Sequence, residues 1–225
     1  ITYEKTGIIK HGNFVVTSPQ KDEVTNVISD VCHKQGAKLV QVGKEISWRK
    51  IDADFNHQLF TIAGQTSNYK LTIPLLGDYQ VENAAAAVAA LEILAYSGWD
   101  ISAENIAQGL AEVEWPGRFQ VLQHCPVVLV DGAHNRQSMK RLVEGIQGYF
   151  DYNRIFLVFG ASCDKDILGM VEELVPLSPQ VTVTRSSHPR AASSLTIAAE
   201  FNKLGIGPKI TCDVFEALSQ TLSMA

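Results

Sequence analysis

The chain is short of cysteine, of basic charge and of long apolar runs. Its four cysteines stand singly among 225 residues, without Cys-x-x-Cys or metal-type spacing, which favours reduced thiols over a disulfide or zinc framework. A formal net charge of −5 gives no basic surface for a phosphate backbone, so we do not expect nucleic-acid binding. No apolar run approaches the length of a membrane span and no charged-then-apolar leader opens the chain, so we expect a cytoplasmic protein without a membrane partner.

The sequence begins at Ile1 rather than at a methionine and runs directly into a dense segment of mixed residues up to Lys10. This start is unusual for a complete protein. We therefore expect the chain to be part of a longer protein or a processed form of one.

The first half of the sequence combines two kinds of strand pairing. Residues 14–17, 22–35 and 38–42 predict a strand, a helix ending at Gly36 and a second strand, which together form a β-α-β unit with parallel strands. Residues 59–62 and 69–73 flank a polar turn and predict an antiparallel hairpin. Two helices follow, the first predicted to begin near Asn83 and the second to be capped by Ser102 and to stop at Trp115-Pro116-Gly117.

In the second half, strands and helices alternate regularly. The predicted strands are 127–130, 155–159, 181–183 and 210–212, and the helices between and after them are 137–150, 167–174, 195–204 and 215–222. This alternation predicts an α/β fold with a parallel, doubly wound sheet. We place one domain at 1–120 and the other, Rossmann-like, at 121–225.

Polar loops that follow predicted strands are candidate sites, because ligands of open α/β sheets bind beyond the carboxyl ends of the strands. After the strand 127–130 come Asp131, which could accept hydrogen bonds from ribose hydroxyls or cap the next helix, and His134, which could donate to a phosphate or assist a charged intermediate. The loop 160–166 offers backbone amides and Lys165 to an anion, or is a capped helix start. The loop 184–191 carries two arginines, a histidine and two serines that could hold a carboxylate, or is an ordinary polar turn.

Three further residues are candidates on weaker local signals. Arg118 follows a Pro-Gly corner, where two domains are expected to meet, and suits phosphate oxygens or is a surface arginine of a linker. Asn83 could cap its helix or pair with an adenine edge. Lys5 stands beside Glu4, an arrangement that is usually a solvated ion pair.

The order of these segments resembles that of the folylpolyglutamate and dihydrofolate synthases of the Mur ligase superfamily over almost the whole chain. The pair Trp115-Pro116-Gly117-Arg118-Phe119 and Asp131-Gly132-Ala133-His134-Asn135 is the most specific part of the resemblance. The other matching segments are Glu4-Lys5-x-Gly7-Ile8-Ile9-Lys10, Gly77-x-x-Gln80-x-x-Asn83-Ala84 and Asp164-Lys165-Asp166. The resemblance implies the last part of a central ATPase domain followed by a carboxy-terminal Rossmann-like domain.

By resemblance, the protein is a monomeric ATP- and Mg²⁺-dependent ligase that takes folate and L-glutamate as substrates. ATP phosphorylates the folate carboxylate, and the glutamate amine then attacks the acyl phosphate. The matching positions imply that Asn83 contacts adenine, Asp131 ribose and Arg118 the phosphates, while His134 lies near the reacting groups. Lys5 matches a lysine that is carbamylated and helps to position Mg²⁺; we expect it to be unmodified in this chain.

The sequence departs from the family pattern in one main respect. It has no Gly-rich phosphate loop ending in Lys-Ser or Lys-Thr, and the family's glutamate and histidine ligands to magnesium would precede Ile1. The alternatives are another Mur-type amino-acid ligase and a non-catalytic nucleotide-binding module.

We therefore predict that the isolated 225-residue chain does not hydrolyse ATP when folate is added, because no segment of it can cradle the transferred phosphate. Phosphate release is the measurement, with and without a folate substrate. A folate-dependent rate above the buffer control would contradict the prediction.

Overall fold

The computed structural model describes residues 2–225 and divides the chain into two compact units. The first ends at Pro116 and the second comprises Gly117–Ala225. Both units mix helices and strands, with parallel and antiparallel pairing, so the predicted α/β class is confirmed. The predicted domain boundary at 120/121 lies shortly after the division seen in the structure.

The first unit opens with the predicted β-α-β arrangement. Its elements are α1 (Thr2–Thr6), β1 (Phe14–Thr17), α2 (Asp22–Gln35) and β2 (Lys38–Gln41). β1 and β2 pair in parallel, and Gly36 ends α2 in the left-handed region at φ 59°, where its N–H donates to the carbonyl of His33. The predicted unit and its C-cap are thus confirmed.

A three-stranded antiparallel sheet follows, formed by β3 (Ser47–Ala53), β4 (Gln58–Ala63) and β5 (Asn68–Ile73) in the order β3-β4-β5. The predicted hairpin corresponds to β4 and β5. Strand β3 was missed, because Arg49, Lys50 and Asp52 give it the polar composition of a loop. Charged side chains are common on such edge strands, where they discourage pairing with other chains.

The helices of the first unit are α3 (Asp78–Tyr96) and α4 (Ala103–Ala111). The prediction that α3 begins near Asn83 is wrong: the helix begins one turn earlier, just after Gly77, so Asn83 does not open it. Ser102 caps α4 as predicted, but α4 ends at Ala111 rather than at Trp115-Pro116-Gly117, and Val113 beyond it packs against the core. Among residues 2–225, no helix combines the length and apolarity needed to cross a membrane.

A buried carboxylate joins the β4–β5 turn to α3. Glu92 is 3% exposed and accepts hydrogen bonds from the backbone amides of Gln65, Thr66 and Ser67 and from the hydroxyls of Thr66 and Tyr69, at 2.7–3.2 Å. Burial by itself raises the pKa of Glu92, but hydrogen bonds led by that of the Thr66 side chain outweigh it and lower the pKa. The turn is therefore fixed to α3 by a charged, fully hydrogen-bonded group.

The second unit begins with an antiparallel hairpin of β6 (Gln120–His124) and β7 (Val127–Val130). The sequence predicted β7 as the first strand of the parallel sheet. This prediction is wrong, because among residues 2–225 the strand that pairs with β7 is β6, in antiparallel orientation. The polar residues of β6 gave it the appearance of a linker, whereas a short Cys125–Pro126 turn allows it to fold back on β7.

The remaining strands form the predicted parallel sheet. Strands β8 (Phe156–Phe159), β9 (Gln180–Val183) and β10 (Lys209–Ile210) lie in the order β10-β9-β8. The helices are α5 (Arg136–Tyr149), α6 (Ile167–Leu174), α7 (Ser194–Lys203) and α8 (Val214–Leu222). The apolar faces of α5, α6 and α7 enclose one core with the strands, which includes Met170, Leu174, Val183, Ile197 and Phe201.

We predict that Glu92→Gln destabilises the first unit by about 2–3 kcal/mol, because a neutral amide cannot accept from all of these donors. The folded-state pKa of Glu92 is lowered, so its contribution is present above the unfolded pKa and is lost as pH falls below about 4.5 through the folded value. Urea unfolding between pH 3 and pH 7 measures both effects.

Glu23→Gln is the matched control, since Glu23 is exposed on α2 and its substitution should change stability by less than about 0.5 kcal/mol. Equal stability of the two variants, or an unchanged pH dependence in Glu92→Gln, would disprove the assigned role of Glu92.

Candidate functional site

The structure brings together the two loops whose motifs are most specific in the sequence. The N–H of Gly132 donates to the carbonyl of Gly117 at 2.8 Å. The N–H of Phe119 donates to Oδ2 of Asp131 at 2.7 Å, and the N–H of Ala133 donates to Oδ1 of the same carboxylate at 2.7 Å. The Asp131 side chain thus connects the corner that carries Arg118 to its own loop.

The corner around Arg118 has an unusual backbone. Gly117 lies at φ 74° and Phe119 at φ 45°, a left-handed conformation that a bulky side chain adopts only when its surroundings compensate the strain. Phe119 is 1% exposed and packs on Tyr149 at the end of α5 and on Phe150 just after it, with ring centroids 5.9 and 6.1 Å away. With Phe119 buried and held by Asp131, Arg118 lies exposed on the outside of a fixed turn.

The role of Asp131 as a helix cap, one of its two predicted interpretations, is wrong. Asn135 caps α5, because its Oδ1 accepts from the N–H of Ser138 at 2.8 Å. Asp131 lies earlier and is only half-buried. Each carboxylate oxygen carries two lone pairs and accepts one backbone amide, so the group retains acceptor capacity for a further donor such as a hydroxyl.

His134 lies between Asp131 and the cap of α5. Its N–H donates to Oγ of Ser138 at 3.0 Å, and its Nδ1 is 2.9 Å from the carbonyl oxygen of Gly132. The ring is exposed, yet it is oriented by this contact. His134 therefore belongs to the same connected loop as Asp131 and, through Asp131, to the Arg118 corner.

The loops after β8 and β9 also meet, as neighbouring parallel strands predict. The N–H of Cys163 donates to the carbonyl of Arg190 at 2.8 Å. Asp166 caps α6 by accepting from Gly169, which confirms the capped helix start. The pKa of Asp164 is lowered, first by a hydrogen bond from the backbone amide of Asp164 and then by the charges of Lys165 and Arg190. Cationic side chains from both loops are thus gathered at one edge of the sheet.

Asn83 and Lys5 belong to the first unit. Asn83 is exposed within α3, and its Nδ2 donates to Oε1 of Gln80 at 3.0 Å. The cap interpretation of Asn83 is wrong, since α3 begins at Asp78. Buried Gln58 fixes the start of α3 by donating to the carbonyls of Leu75 and Gly77.

Lys5 is exposed in the short helix α1. An unmodified lysine carries an ammonium, which is not a metal ligand. Within residues 2–225, no group of three or more His, Cys, Asp or Glu side chains could hold a metal ion. The described side chains therefore do not by themselves fit a magnesium site, and no chemical step is assigned to the ion.

A cavity of about 460 Å³ lies elsewhere in the second unit, against the amino-terminal ends of β9 and β10, where Gln180 and Lys209 are among its lining residues. In open α/β sheets, ligands bind at the opposite, carboxyl ends of the strands. Lys165 lies in the loop after β8, at that carboxyl end. The loop of Asp131 and His134 follows β7, outside the parallel sheet, and is a candidate because of its contacts with the Arg118 corner.

Sequence reasoning missed Phe119 and Gly132 as residues that build the site. Both stood inside the quoted motifs, but no local signal distinguishes a buried, left-handed Phe119 from an ordinary linker residue. The nearest available signal was the glycine at position 117, one residue before Arg118, which is typical of a turn that requires positive φ.

Comparison with known proteins gives a consistent result. Residues 117–225 match the family described as Mur ligase, glutamate ligase domain. The folylpolyglutamate synthase of Lacticaseibacillus casei is 32% identical over 185 residues, covering 77% of this chain and 41% of that protein. The dihydrofolate synthase/folylpolyglutamate synthase of Bacillus subtilis is 30% identical, covering 85% and 45%. This chain therefore spans less than half the length of these relatives.

Solved structures agree with the sequence comparison. The Mycobacterium tuberculosis folylpolyglutamate synthase complexed with ADP superposes with a TM-score of 0.91 at 25% identity, covering 99% of this chain and 51% of that one. The match thus extends over both units of this chain and over about half of the known structure.

We predict that Asp131→Asn accelerates hydrogen exchange of the Phe119 amide by at least about tenfold, which corresponds to about 1.4 kcal/mol of lost protection. The amides of Phe119 and Ala133 bind different oxygens of Asp131, and asparagine replaces one of these oxygens with an NH₂ group that only donates, so one amide loses its acceptor. Amide exchange followed by NMR in the isolated chain measures this.

Asp213→Asn is the matched control, since Asp213 caps α8 and asparagine is an equally good cap. If the Phe119 amide exchanges equally slowly in Asp131→Asn and Asp213→Asn, the Asp131 carboxylate does not hold the corner.

Proposed function

Because this chain belongs to the folylpolyglutamate and dihydrofolate synthases of the Mur ligase superfamily, as their carboxy-terminal portion, we propose that it forms part of an ATP-dependent ligase that joins L-glutamate to a folate. The observation that best supports this proposal is the pair of hydrogen bonds to Asp131, which fixes the Arg118 corner beside the His134 loop. Both loops lie within the part that matches the glutamate ligase domain.

The proposed reaction has two steps. The folate carboxylate attacks the terminal phosphorus of ATP, which yields an acyl phosphate and ADP. The amine of glutamate then attacks the acyl carbon, and an amide forms as phosphate leaves. Both transition states place negative charge on phosphoryl oxygens, and a fixed guanidinium such as that of Arg118 stabilises this charge.

Roles for individual residues follow from their chemistry and their matching positions. Arg118 contacts the terminal phosphate and then the acyl phosphate, and Asp131 accepts from ribose hydroxyls with the lone pairs that its backbone bonds leave. The amide of Asn83 contacts adenine. Lys5 would be a ligand to Mg²⁺ only in a carbamylated form, which adds the carboxylate that its ammonium lacks. Solved relatives in complexes with ADP and with AMPPCP and folate support nucleotide and folate as ligands.

The loops after β8 and β9 suit the carboxylates of the incoming glutamate. Lys165, Arg185 and Arg190 place positive charge there, and the two loops are joined through Cys163 and the Arg190 carbonyl. Guanidinium groups pair with carboxylates through two parallel hydrogen bonds, which favours a dicarboxylic amino acid.

We predict that a full-length protein containing these residues ligates L-glutamate to dihydropteroate or tetrahydrofolate, and not an amino acid to a cell-wall precursor. Mass spectrometry of the products, with each acceptor offered separately, measures this. Ligation to the cell-wall precursor alone would assign the chain to another branch of the superfamily, and ATP binding without ligation would make it a nucleotide-binding module.

In the same protein, Arg118→Ala is predicted to lower kcat/KM by roughly 10²–10³-fold, as expected for loss of a group that stabilises transition-state charge. Arg118→Lys should recover only part of this, because a lysine lacks the planar pair of donors. The control is Arg49→Lys on the exposed strand β3, which should leave kcat/KM unchanged. Full activity of Arg118→Ala would exclude the proposed role.

A further inference from the structure

The contact between His134 and Gly132 determines where the imidazole of His134 carries its hydrogen. Nδ1 lies 2.9 Å from the carbonyl oxygen of Gly132. A carbonyl oxygen only accepts hydrogen bonds, so Nδ1 must be the donor. In the neutral ring the free lone pair is therefore on Nε2.

His188, in the loop after β9, has the opposite arrangement. The N–H of Arg190 donates to Nδ1 of His188 at 3.1 Å. A backbone N–H only donates, so this Nδ1 carries no hydrogen and the neutral ring is protonated on Nε2. His188 can donate through Nε2, but it can take up a proton only at Nδ1, by giving up the bond from Arg190.

The surroundings of His134 keep its Nε2 accessible. The ring is exposed, and within residues 2–225 no hydrogen bond to Nε2 is recorded. The backbone on either side is fixed, by the Asp131 contacts before the ring and by the bond from the His134 N–H to Ser138 after it. An oriented ring thus presents an acceptor nitrogen at the end of β7.

We propose that Nε2 of His134 takes the proton that the α-ammonium of the incoming amino acid must lose when its nitrogen attacks the acyl phosphate. This inference rests on the proposed ligase function. The freed lone pair of the nitrogen forms the C–N bond while the bond between the acyl carbon and the phosphate oxygen breaks. Phosphate leaves with that electron pair and takes up the second proton that the nitrogen must lose to become an amide N–H. The first proton moves from nitrogen to Nε2, and the resulting imidazolium keeps its Nδ1–H bond to the Gly132 carbonyl.

The tautomers are tested in the isolated chain by long-range ¹H–¹⁵N correlation NMR of the imidazoles. We expect the Nδ1–H form for His134 and the Nε2–H form for His188, with His134→Gln and His188→Gln providing the assignments. A neutral His134 that carries its hydrogen on Nε2 would overturn the proposal.

The proton-transfer role is tested in a full-length protein containing these residues, by competition between L-glutamate and hydroxylamine for the acyl phosphate. Hydroxylamine is largely uncharged at neutral pH and needs no base to attack. The ratio of glutamyl amide to hydroxamate should therefore fall by roughly 10²-fold or more in His134→Gln, a typical contribution of general-base catalysis. Because both products arise from one intermediate, a partial loss of folded protein leaves the ratio unchanged.

His124→Gln, which changes a histidine of β6 in the same unit, is the control and should keep the wild-type ratio. A wild-type ratio in His134→Gln would overturn the proposed base while leaving the ligase function intact. Failure of the wild-type protein to form either product would instead overturn the ligase function, and the inference with it.

Discussion

The candidate site depends on one carboxylate that is shared by two stretches of backbone. Asp131 accepts from the amides of Phe119 and Ala133 at 2.7 Å each, and these stretches lie twelve and two residues away along the chain. These bonds, the bond from the Gly132 N–H to the Gly117 carbonyl and the packing of the Phe119 ring together compensate the left-handed backbone at Phe119. The exposed position of Arg118 and the fixed loop of His134 are both consequences of this contact.

In the second unit, the loop of Asp131 and His134 is held by contacts with α5 and the residue after it. Phe119 packs on α5, the same helix that Asn135 caps, so the apolar contact and the cap act on the two ends of one connected segment. In the same unit, the loops after β8 and β9 are joined by backbone bonds. Polar side chains at the edge of the sheet are thus carried by backbone that the core immobilises, which is the arrangement that preorganises a site for charged ligands.

The first unit uses the same device for a structural purpose. The buried carboxylate of Glu92 gathers the amides and hydroxyls of the β4–β5 turn, much as Asp131 gathers two amides in the second unit. The difference is exposure, since Glu92 is enclosed and saturated with donors whereas Asp131 is half-buried and retains lone pairs. This difference is the physical reason for considering Asp131, and not Glu92, as a ligand-binding group.

The sequence by itself determined the α/β class, the β-α-β unit, the alternation from β8 to α8, and the loops on which polar side chains follow strands, because periodicity and capping are local properties. It did not determine that β6 folds back on β7, that β3 is a strand, or that α3 begins at Asp78, because these depend on partners distant along the chain. That Asp131 does not cap α5, and which contacts set the tautomers of His134 and His188, follow only from tertiary structure. Each depends on which backbone donor or acceptor faces the side chain, and that is a property of the folded loops rather than of any local pattern.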